Sequence, residues 1–190
     1  MIRTASGNLL RAPAEALVNT VNTKGVMGKG IALQFRNAFD DMYQRYVDDC
    51  KAGRVELGKM HVVPRGALVE DGPKYIINFP TKGHWKSQSR LADIEAGLED
   101  LVKVVRELNI SSIAVPPLGC GNGGLRWTDV RPLIESAFAG LPDVDVQLFE
   151  PNGAPPAAEM PRQTPRPAMA EARAILLVLM HRYLQGLLDP

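Results

Sequence analysis

The chain has 190 residues, of which 45% are hydrophobic and 23% are charged, enough apolar material for one globular core with residues to spare. This composition excludes a disordered chain and a fibrous protein. The 22 basic and 21 acidic residues leave a formal net charge of +1, which excludes a strongly basic surface over the whole protein, so any polyanion must be bound locally.

Cysteine usage and the N-terminal residues indicate the compartment. Cys50 and Cys120 lie far apart in the sequence and fit neither a disulfide framework nor a metal-binding spacing, as expected in a reducing environment. The first ten residues lack the apolar core of a signal peptide. No segment has the roughly 18 uncharged apolar residues that are needed to span a bilayer. We therefore expect a cytoplasmic protein without a membrane partner.

Short apolar runs alternate with longer amphipathic segments over residues 1–150. The runs predicted as buried strands are 16–18, 60–63, 75–79, 113–115 and 144–149. The predicted helices are 30–37, 40–51 with Asp40 or Asp41 as cap, 89–108, and a helix from a Thr128 cap to residue 139. This alternation predicts a three-layer α/β/α sandwich around a mostly parallel or mixed sheet, with ligands bound at the carboxyl ends of the strands.

The composition changes abruptly at Pro151. Six prolines fall between residues 151 and 167, a density that is incompatible with regular helix or a central strand. We predict a linker over residues 151–168 and a helical tail over 169–190. The tail carries a continuous apolar stretch, 174–180, which must pack on the 1–150 domain, on another copy, or on a further domain, since it would otherwise form a large exposed apolar patch.

A glycine-rich loop follows the first predicted buried strand and leads directly into a helix. Its glycines, Gly25, Gly28 and Gly30, allow the backbone to approach a ligand closely, and a helix N-terminus behind it favours an anion. The loop is therefore a candidate phosphate site, although it matches neither the Walker loop nor the GxGxxG pattern. The alternative is a strand-to-helix turn without a ligand.

A second glycine-rich loop follows the strand predicted at 113–115. Four of its residues, Gly119, Gly121, Gly123 and Gly124, form a backbone that can surround an anion with N–H donors. A flexible surface loop is the alternative, but glycine is entropically costly where its conformational freedom has no use. Two such loops in one domain predict a diphosphate ligand.

Three motifs together carry a family resemblance: Gly7-Asn-Leu-Leu, then Ala16-Leu-Val-Asn-Thr-Val-Asn with its glycine-rich loop, then Pro117-Leu-Gly-Cys-Gly-Asn-Gly-Gly-Leu. In this order and spacing they resemble the macrodomains, ADP-ribose-binding modules of the α/β/α class. The resemblance covers about residues 1–150 and implies a macrodomain fold with a mixed central sheet.

The resemblance also implies which residues bind ADP-ribose. They are Gly7, Asn8, Leu9, Asn22, Thr23, Lys24, Gly25, Val26, Met27, Gly28, Lys29, Gly30, Ile31, Thr81, Leu118, Gly119, Cys120, Gly121, Asn122, Gly123, Gly124 and Leu125. We expect residues 7–9 to hold the adenine, the loops at 25–30 and 119–124 to hold the diphosphate, and Asn22 with Lys24 to contact the distal ribose. Most family members carry an aspartate at the position of Asn8. The side-chain carbonyl of Asn8 would accept the same hydrogen bond from the adenine, without the negative charge.

Lys82 lies at the end of a predicted strand, in Phe79-Pro-Thr-Lys-Gly-His-Trp-Lys. A lone lysine here would be a solvated surface residue. Beside a phosphate-binding cleft it could act as an ammonium acid or, with a lowered pKa, attack a sugar's anomeric carbon. Burial and a neighbouring cation such as Lys24 or Lys86 would both lower that pKa.

The lysine segment, with the first glycine-rich loop, resembles the macrodomain branch of the terminal ADP-ribose protein glycohydrolase and, more closely, the DarG antitoxins. That resemblance implies that Lys82 is catalytic. It also implies that the protein removes ADP-ribose, without a cofactor, from nucleobases of single-stranded DNA, and the expected site is the base of thymidine. It further implies a DarT-like ADP-ribosyltransferase toxin as a partner.

The residues near Lys82 predict further contacts. His84, Trp85 and Lys86 are candidate DNA-contacting residues, because exposed aromatic rings beside basic residues suit single strands, although Trp85 could equally be local packing. Cys120 is expected to pack beneath its loop rather than to act as a nucleophile. The three histidines and two cysteines fit no zinc spacing, so no metal is expected.

Three other functions remain open. The protein could hydrolyse ADP-ribosyl groups on protein side chains, it could bind ADP-ribose without cleaving anything, or it could act mainly by binding a toxin, with the tail helix as part of the interface. The charge pattern allows a cationic cleft in a nearly neutral protein, suited to a diphosphate and a DNA strand. Acidic residues are absent between Glu15 and Asp40, between Asp71 and Asp93, and between Glu107 and Asp129, the segments that carry the two loops and Lys82.

Overall fold

The computed structural model describes residues 1–65, 72–153 and 171–186 of the chain. Its strands are β1 (Ile2–Ala5), β2 (Ala16–Asn22), β3 (His61–Pro64), β4 (Tyr75–Lys82), β5 (Ser112–Val115) and β6 (Asp145–Phe149). Its helices are α1 (Gly30–Ala38), α2 (Asp40–Lys51), α3 (Leu91–Glu107), α4 (Trp127–Phe138) and α5 (Glu171–Gly186), with a short 3-10 helix at Leu9–Arg11.

The strands form one six-stranded sheet in the order β1-β6-β5-β2-β4-β3. Every pairing is parallel except that of β3 with β4. The sheet is therefore mixed, and the carboxyl ends of β5, β2 and β4, three adjacent parallel strands, lie at one edge. This confirms the predicted fold class.

Helices cover both faces of the sheet, because successive strand residues point to opposite sides. Leu17 of β2 packs in one core cluster with Phe35 and Met42 of α1 and α2. Its neighbour Val18 belongs to the other cluster, with residues of α3 and α4 such as Leu101. The helices that follow β2 and β5 thus lie on opposite faces, which opens a crevice between these two strands at their carboxyl ends.

Each predicted strand and helix of residues 1–150 has a counterpart in the structure, but several boundaries differ. Strands β2 and β4 run three or more residues beyond the predicted ends, to Asn22 and Lys82. The sequence pattern did not predict β1, a short strand at the edge of the sheet that pairs with β6. Its pattern was hidden because its polar residues, Arg3 and Thr4, are exposed.

The predicted helix caps were wrong. Phe39, not Asp40 or Asp41, occupies the N-cap of α2, and the two aspartates lie in the first turn, where they interact favourably with the helix dipole. Arg126, not Thr128, precedes α4. Neither cap side chain accepts a hydrogen bond from a backbone N–H of its helix, so the usual preference for Asp or Thr at this position has no effect here.

The tail helix α5 presents an apolar surface to solvent. Six large side chains, Ile175, Leu176, Val178, Leu179, Met180 and Tyr183, are each more than half exposed. Packing of this stretch on the 1–150 domain is therefore not observed for these residues. Most of the predicted linker, 154–168, and the predicted ends of the tail lie outside the described residues.

None of the helices in the described ranges has the length and apolar content required to span a bilayer.

Candidate functional site

A cleft of about 800 Å³ opens at the carboxyl edge of the sheet, a size that suits a nucleotide-like ligand. The two glycine-rich loops and the end of β4 form most of its wall. The lining residues are Gly7, Leu9, Thr20, Val21, Asn22, Val26, Gly28, Lys29, Gly30, Ile31, Ala32, Gln34, Thr81, Lys82, Trp85, Lys86, Pro116, Pro117, Gly119, Cys120, Gly121, Asn122, Gly123, Phe149, Glu150, Pro151, Asn152 and Gly153.

Asn22, the last residue of β2, fixes the first glycine-rich loop. Its side-chain oxygen accepts a hydrogen bond from the Lys24 amide at 2.9 Å, and its Nδ2 donates to the Val26 carbonyl at 2.6 Å. Its own carbonyl accepts a hydrogen bond from the Tyr46 hydroxyl at 2.5 Å. Asn22 is buried, and through these hydrogen bonds its side-chain amide holds the loop in place at the wall of the cleft.

The loop ends where α1 begins, and the first turn of α1 faces the cleft. Gly30 has a φ of +59°, a conformation that glycine adopts readily. A Cβ atom there would lie 3.2 Å from Nδ2 of Asn122 in the second loop. The two loops therefore approach each other closely at this point. The N–H groups of a helix's first turn lack intrahelical acceptors, so this wall of the cleft presents donors to an anion.

The second glycine-rich loop is compact and internally bonded. The amide of Leu125 donates to the Gly119 carbonyl at 3.1 Å, and the amide of Ser89 donates to the Gly123 carbonyl at 2.9 Å. A Cβ atom on Gly123 would lie only 2.4 Å from the Gly119 carbonyl oxygen. Glycine is therefore required at position 123 for the loop to close against the start of α3.

Lys82 is the last residue of β4 and the register partner of Asn22 on β2. Its Nζ donates a hydrogen bond to the Asn122 carbonyl at 2.9 Å, so the amine lies between the strand end and the second loop. Burial lowers the pKa of Lys82 from the usual lysine value of 10.5. The expected contribution of Lys24 or Lys86 to this shift is not seen, since burial is its cause among the described residues.

Two further ionisable groups of the cleft, Cys120 and Glu150, are poorly suited to act as a nucleophile or as a free base. Burial raises the pKa of Cys120 to about 11, so this side chain is a neutral thiol near pH 7 and a weak nucleophile. Glu150 lines the cleft but pairs with Arg131 at 2.9 Å. Over residues 1–65, 72–153 and 171–186, no three His, Cys, Asp or Glu side chains lie together where they could hold a metal ion.

Some of the predicted ligand-binding residues lie behind the cleft wall. Met27 and Leu118 are buried in the two cores, where their side chains support the loops. Asn8 caps the 3-10 helix, its side-chain oxygen accepting from the Leu10 amide at 3.1 Å. Also outside the lining set are Thr23, Lys24, Gly25, Gly124, Leu125 and His84.

One wall of the cleft was not predicted from the sequence. Phe149, the last residue of β6, and the four residues after it line the cleft, although residues 151–153 were predicted to belong to the linker. The available signal was topological: because β6 is parallel to β5, the residue that follows it emerges at the same edge of the sheet. Gln34 of α1 was also missed.

Comparison with known proteins matches the chain to one family. The family model described as "Macro domain" matches residues 18–134. A DNA ADP-ribosyl glycohydrolase of Mycobacterium tuberculosis is 56% identical over 185 residues, which are 97% of this chain and 51% of that protein. The chain thus spans about half the length of the curated relatives that it matches.

Two solved structures share the fold and much of the sequence. The macrodomain of Mycobacterium tuberculosis DarG is 60% identical, with a TM-score of 0.78, over 80% of this chain and 99% of that one. Thermosipho africanus DarTG in complex with ADP-ribose is 32% identical, with a TM-score of 0.74, over 84% of this chain and 44% of that one.

Proposed function

This chain belongs to the Macro domain family, and we propose that it is a hydrolase that removes ADP-ribose from nucleobases of single-stranded DNA. The expected site of the modification is the base of thymidine. The position of Lys82 carries the proposal: a partly buried amine at the end of β4, hydrogen-bonded to the loop that closes the cleft. The likeness to a DarG macrodomain over nearly the whole of that structure supports it.

ADP-ribose would occupy the cleft with its diphosphate between the two glycine-rich loops. Backbone N–H groups at the start of α1 and in the second loop would face the phosphate oxygens, and Lys29 would add a positive charge at the wall. The adenine would lie towards Gly7 and Leu9, and the distal ribose towards Asn22 and Lys82. In this orientation the anomeric carbon lies nearest the amine of Lys82.

Hydrolysis breaks the bond between the anomeric carbon and the base nitrogen. The base nitrogen takes up a proton, and the anomeric carbon acquires the hydroxyl group of water. Lys82 supports one of two routes. As an ammonium it donates the proton to the departing base, and as a free amine it attacks the anomeric carbon to form a bond that water then cleaves. Both routes need this side chain and no metal ion or cofactor.

A second candidate is hydrolysis of ADP-ribose attached to protein side chains, because the cleft contacts the part that both substrates share. The test offers native protein an ADP-ribosylated single-stranded oligonucleotide and a carboxylate-linked ADP-ribosylated protein, and measures ADP-ribose binding by calorimetry. We expect kcat/KM to be at least about 10-fold higher on the oligonucleotide. Release from protein alone would support the second candidate, and tight binding without release would support a non-catalytic reader. Either result contradicts the proposal.

A DarT-like toxin is the proposed protein partner, with the cytoplasm as the proposed site of action. The exposed apolar side chains of α5 are available for such a contact. Capture of the purified toxin by the full chain, but not by residues 1–150, would locate the contact in the tail. Equal capture by both would place the contact on the macrodomain, and no capture by either would contradict the partner assignment.

A further inference from the structure

Trp85 has an exposure that the core does not explain. It follows the catalytic candidate Lys82 by three residues, lines the cleft, and is 46% exposed. The other tryptophan, Trp127, is partly buried and packs against the core. Leaving nearly half of a tryptophan's surface in water forgoes part of its favourable burial, so a ligand that covers the side chain would recover that free energy.

The ring of Trp85 is already oriented. The imidazole of His84 stacks on it with centroids 5.2 Å apart and planes at 26°, and Nζ of Lys86 lies 4.7 Å from its centroid. A hydrogen bond also fixes the imidazole, because the backbone amide of Lys86 donates to Nδ1 of His84 at 3.1 Å. A pre-oriented ring loses little conformational entropy when a ligand stacks on it.

The charge around Trp85 fits a nucleic-acid strand. Lys29, Lys82 and Lys86 line the cleft, and none of them forms a salt bridge with the residues that the structure describes. Glu150, which also lines the cleft, is paired with Arg131. An aromatic ring near lysines that form no salt bridge is the combination that holds single-stranded DNA by base stacking and phosphate attraction.

We propose that Trp85, held by His84, is the platform on which the departing nucleobase stacks during cleavage, in the position over the ring that Nζ of Lys86 occupies. This inference rests on the proposed function and adds its specificity. An ADP-ribose linked to a carboxylate side chain offers no planar ring to Trp85, whereas a modified thymine does. The indole therefore favours DNA-linked ADP-ribose over protein-linked ADP-ribose at the same Lys82.

Catalytic measurements test the platform with two variants. Trp85→Ala removes the ring, and Trp85→Phe keeps a smaller one. On an ADP-ribosylated single-stranded oligonucleotide we expect kcat/KM to fall about 5- to 150-fold for Trp85→Ala, the range found when a stacking ring is removed, and much less for Trp85→Phe. The dissociation constant for free ADP-ribose should stay within about 2-fold of native in both variants. Equal kcat/KM for native protein and Trp85→Ala would overturn the proposal, as would parallel losses of ADP-ribose binding.

A fluorescence experiment keeps this test independent of turnover. The protein carries Lys82→Ala and Trp127→Phe, so that Trp85 is the remaining tryptophan. Phenylalanine is a mild replacement for Trp127, because Nε1 of Trp127 has no hydrogen-bond partner among the described residues. The ADP-ribosylated oligonucleotide should quench Trp85 emission, and free ADP-ribose should quench it much less. Equal quenching by both ligands, or none by the oligonucleotide, would overturn the platform even if native protein cleaves DNA. Quenching by the oligonucleotide without cleavage by native protein would instead refute only the proposed activity.

Discussion

At the scale of single residues, the site depends on a few groups that no neighbour can replace. Gly123 leaves room for the Gly119 carbonyl and the Ser89 hydroxyl, and Lys82 brings a partly buried amine to the cleft. Asn22 uses its side chain to hold the first loop. The residues of the site thus divide into those that shape the backbone and Lys82, the residue proposed to be catalytic.

Gly123→Ala should destabilise the second loop. The added Cβ would lie 2.3 Å from Oγ of Ser89 and 2.4 Å from the carbonyl oxygen of Gly119, so the loop or the start of α3 must shift, at about 1–3 kcal/mol. Gly121→Ala is the matched control, because nothing lies within 4 Å of the methyl group that it would add. Denaturant unfolding compares the two, and equal free energies of unfolding would contradict the packing described for Gly123.

The pH dependence of cleavage should show one ionisation that belongs to Lys82. Burial lowers the pKa of this group from 10.5, so its ammonium form predominates below the shifted value and its amine form above. If the amine attacks, the single-turnover rate rises with pH up to that pKa. If the ammonium donates a proton, the rate is level below the pKa and falls above it. Lys82→Arg should abolish this pH-dependent limb of the profile. A native profile that stays flat up to and beyond pH 10.5, the ordinary lysine value, would contradict both roles.

At the scale of elements, strand register and helix packing bring the site residues together. Asn22 and Lys82 are opposite each other at the ends of β2 and β4, and the Thr23 hydroxyl donates to the Gly83 carbonyl at 2.7 Å. Helix α2 lies beneath the first loop, where its buried Tyr46 reaches the carbonyl of Asn22. The first loop is therefore supported from α2 and β4 at once.

Tyr46→Phe should weaken this support without emptying the core. It removes the hydroxyl that donates to the buried Asn22 carbonyl and leaves that acceptor without its partner, so we expect a loss of about 1–3 kcal/mol in the free energy of unfolding. Tyr43→Phe on the same helix is the control, since Tyr43 is only partly buried and its ring contacts Arg36. Urea unfolding of both variants measures the difference. Equal stability of the two would show that the Tyr46 hydroxyl does not hold the loop.

Over residues 1–150 the order of most elements could be predicted from the sequence, because the buried strands are short β-rich apolar runs and the helices between them have an apolar face. The two glycine-rich loops and Lys82 could be predicted as parts of one site, since they follow strands that end at the same edge. The pairing of β1 and the cleft wall after β6 could not, because both depend on which strands become neighbours. The support of Asn22 by Tyr46 depends on helix packing, which local pattern does not specify.

At the scale of the whole molecule, a net charge of +1 conceals an uneven distribution. Among the described residues the lysines of the cleft form no salt bridge, while most basic groups elsewhere in the described ranges pair with nearby acids. A nearly neutral protein can therefore attract a phosphate-bearing ligand at one edge of its sheet and repel little elsewhere. Its affinity for unmodified DNA should be weak.

The salt dependence of binding should reflect this small charged area. Each phosphate neutralised on a single strand contributes about −0.7 to the slope of log K against log salt concentration. For binding of the ADP-ribosylated oligonucleotide to Lys82→Ala protein we expect a slope of about −1 to −2. Adding Lys86→Ala to this variant should make the slope about 0.7 less negative. Lys103→Ala, on the exposed face of α3 with Glu107, should leave the slope unchanged. A slope steeper than about −4 would indicate a far larger DNA interface than the cleft provides.

The most direct test of the proposed activity is single-turnover release of ADP-ribose from an ADP-ribosylated single-stranded oligonucleotide by native protein and by Lys82→Ala. Native protein should release ADP-ribose, and the variant should be slower by about 100-fold or more, the usual contribution of a positioned acid or base, while it binds free ADP-ribose with a dissociation constant within about 3-fold of native. Release at the native rate by Lys82→Ala would contradict the role of this lysine, and no release by native protein that binds ADP-ribose tightly would contradict the activity itself.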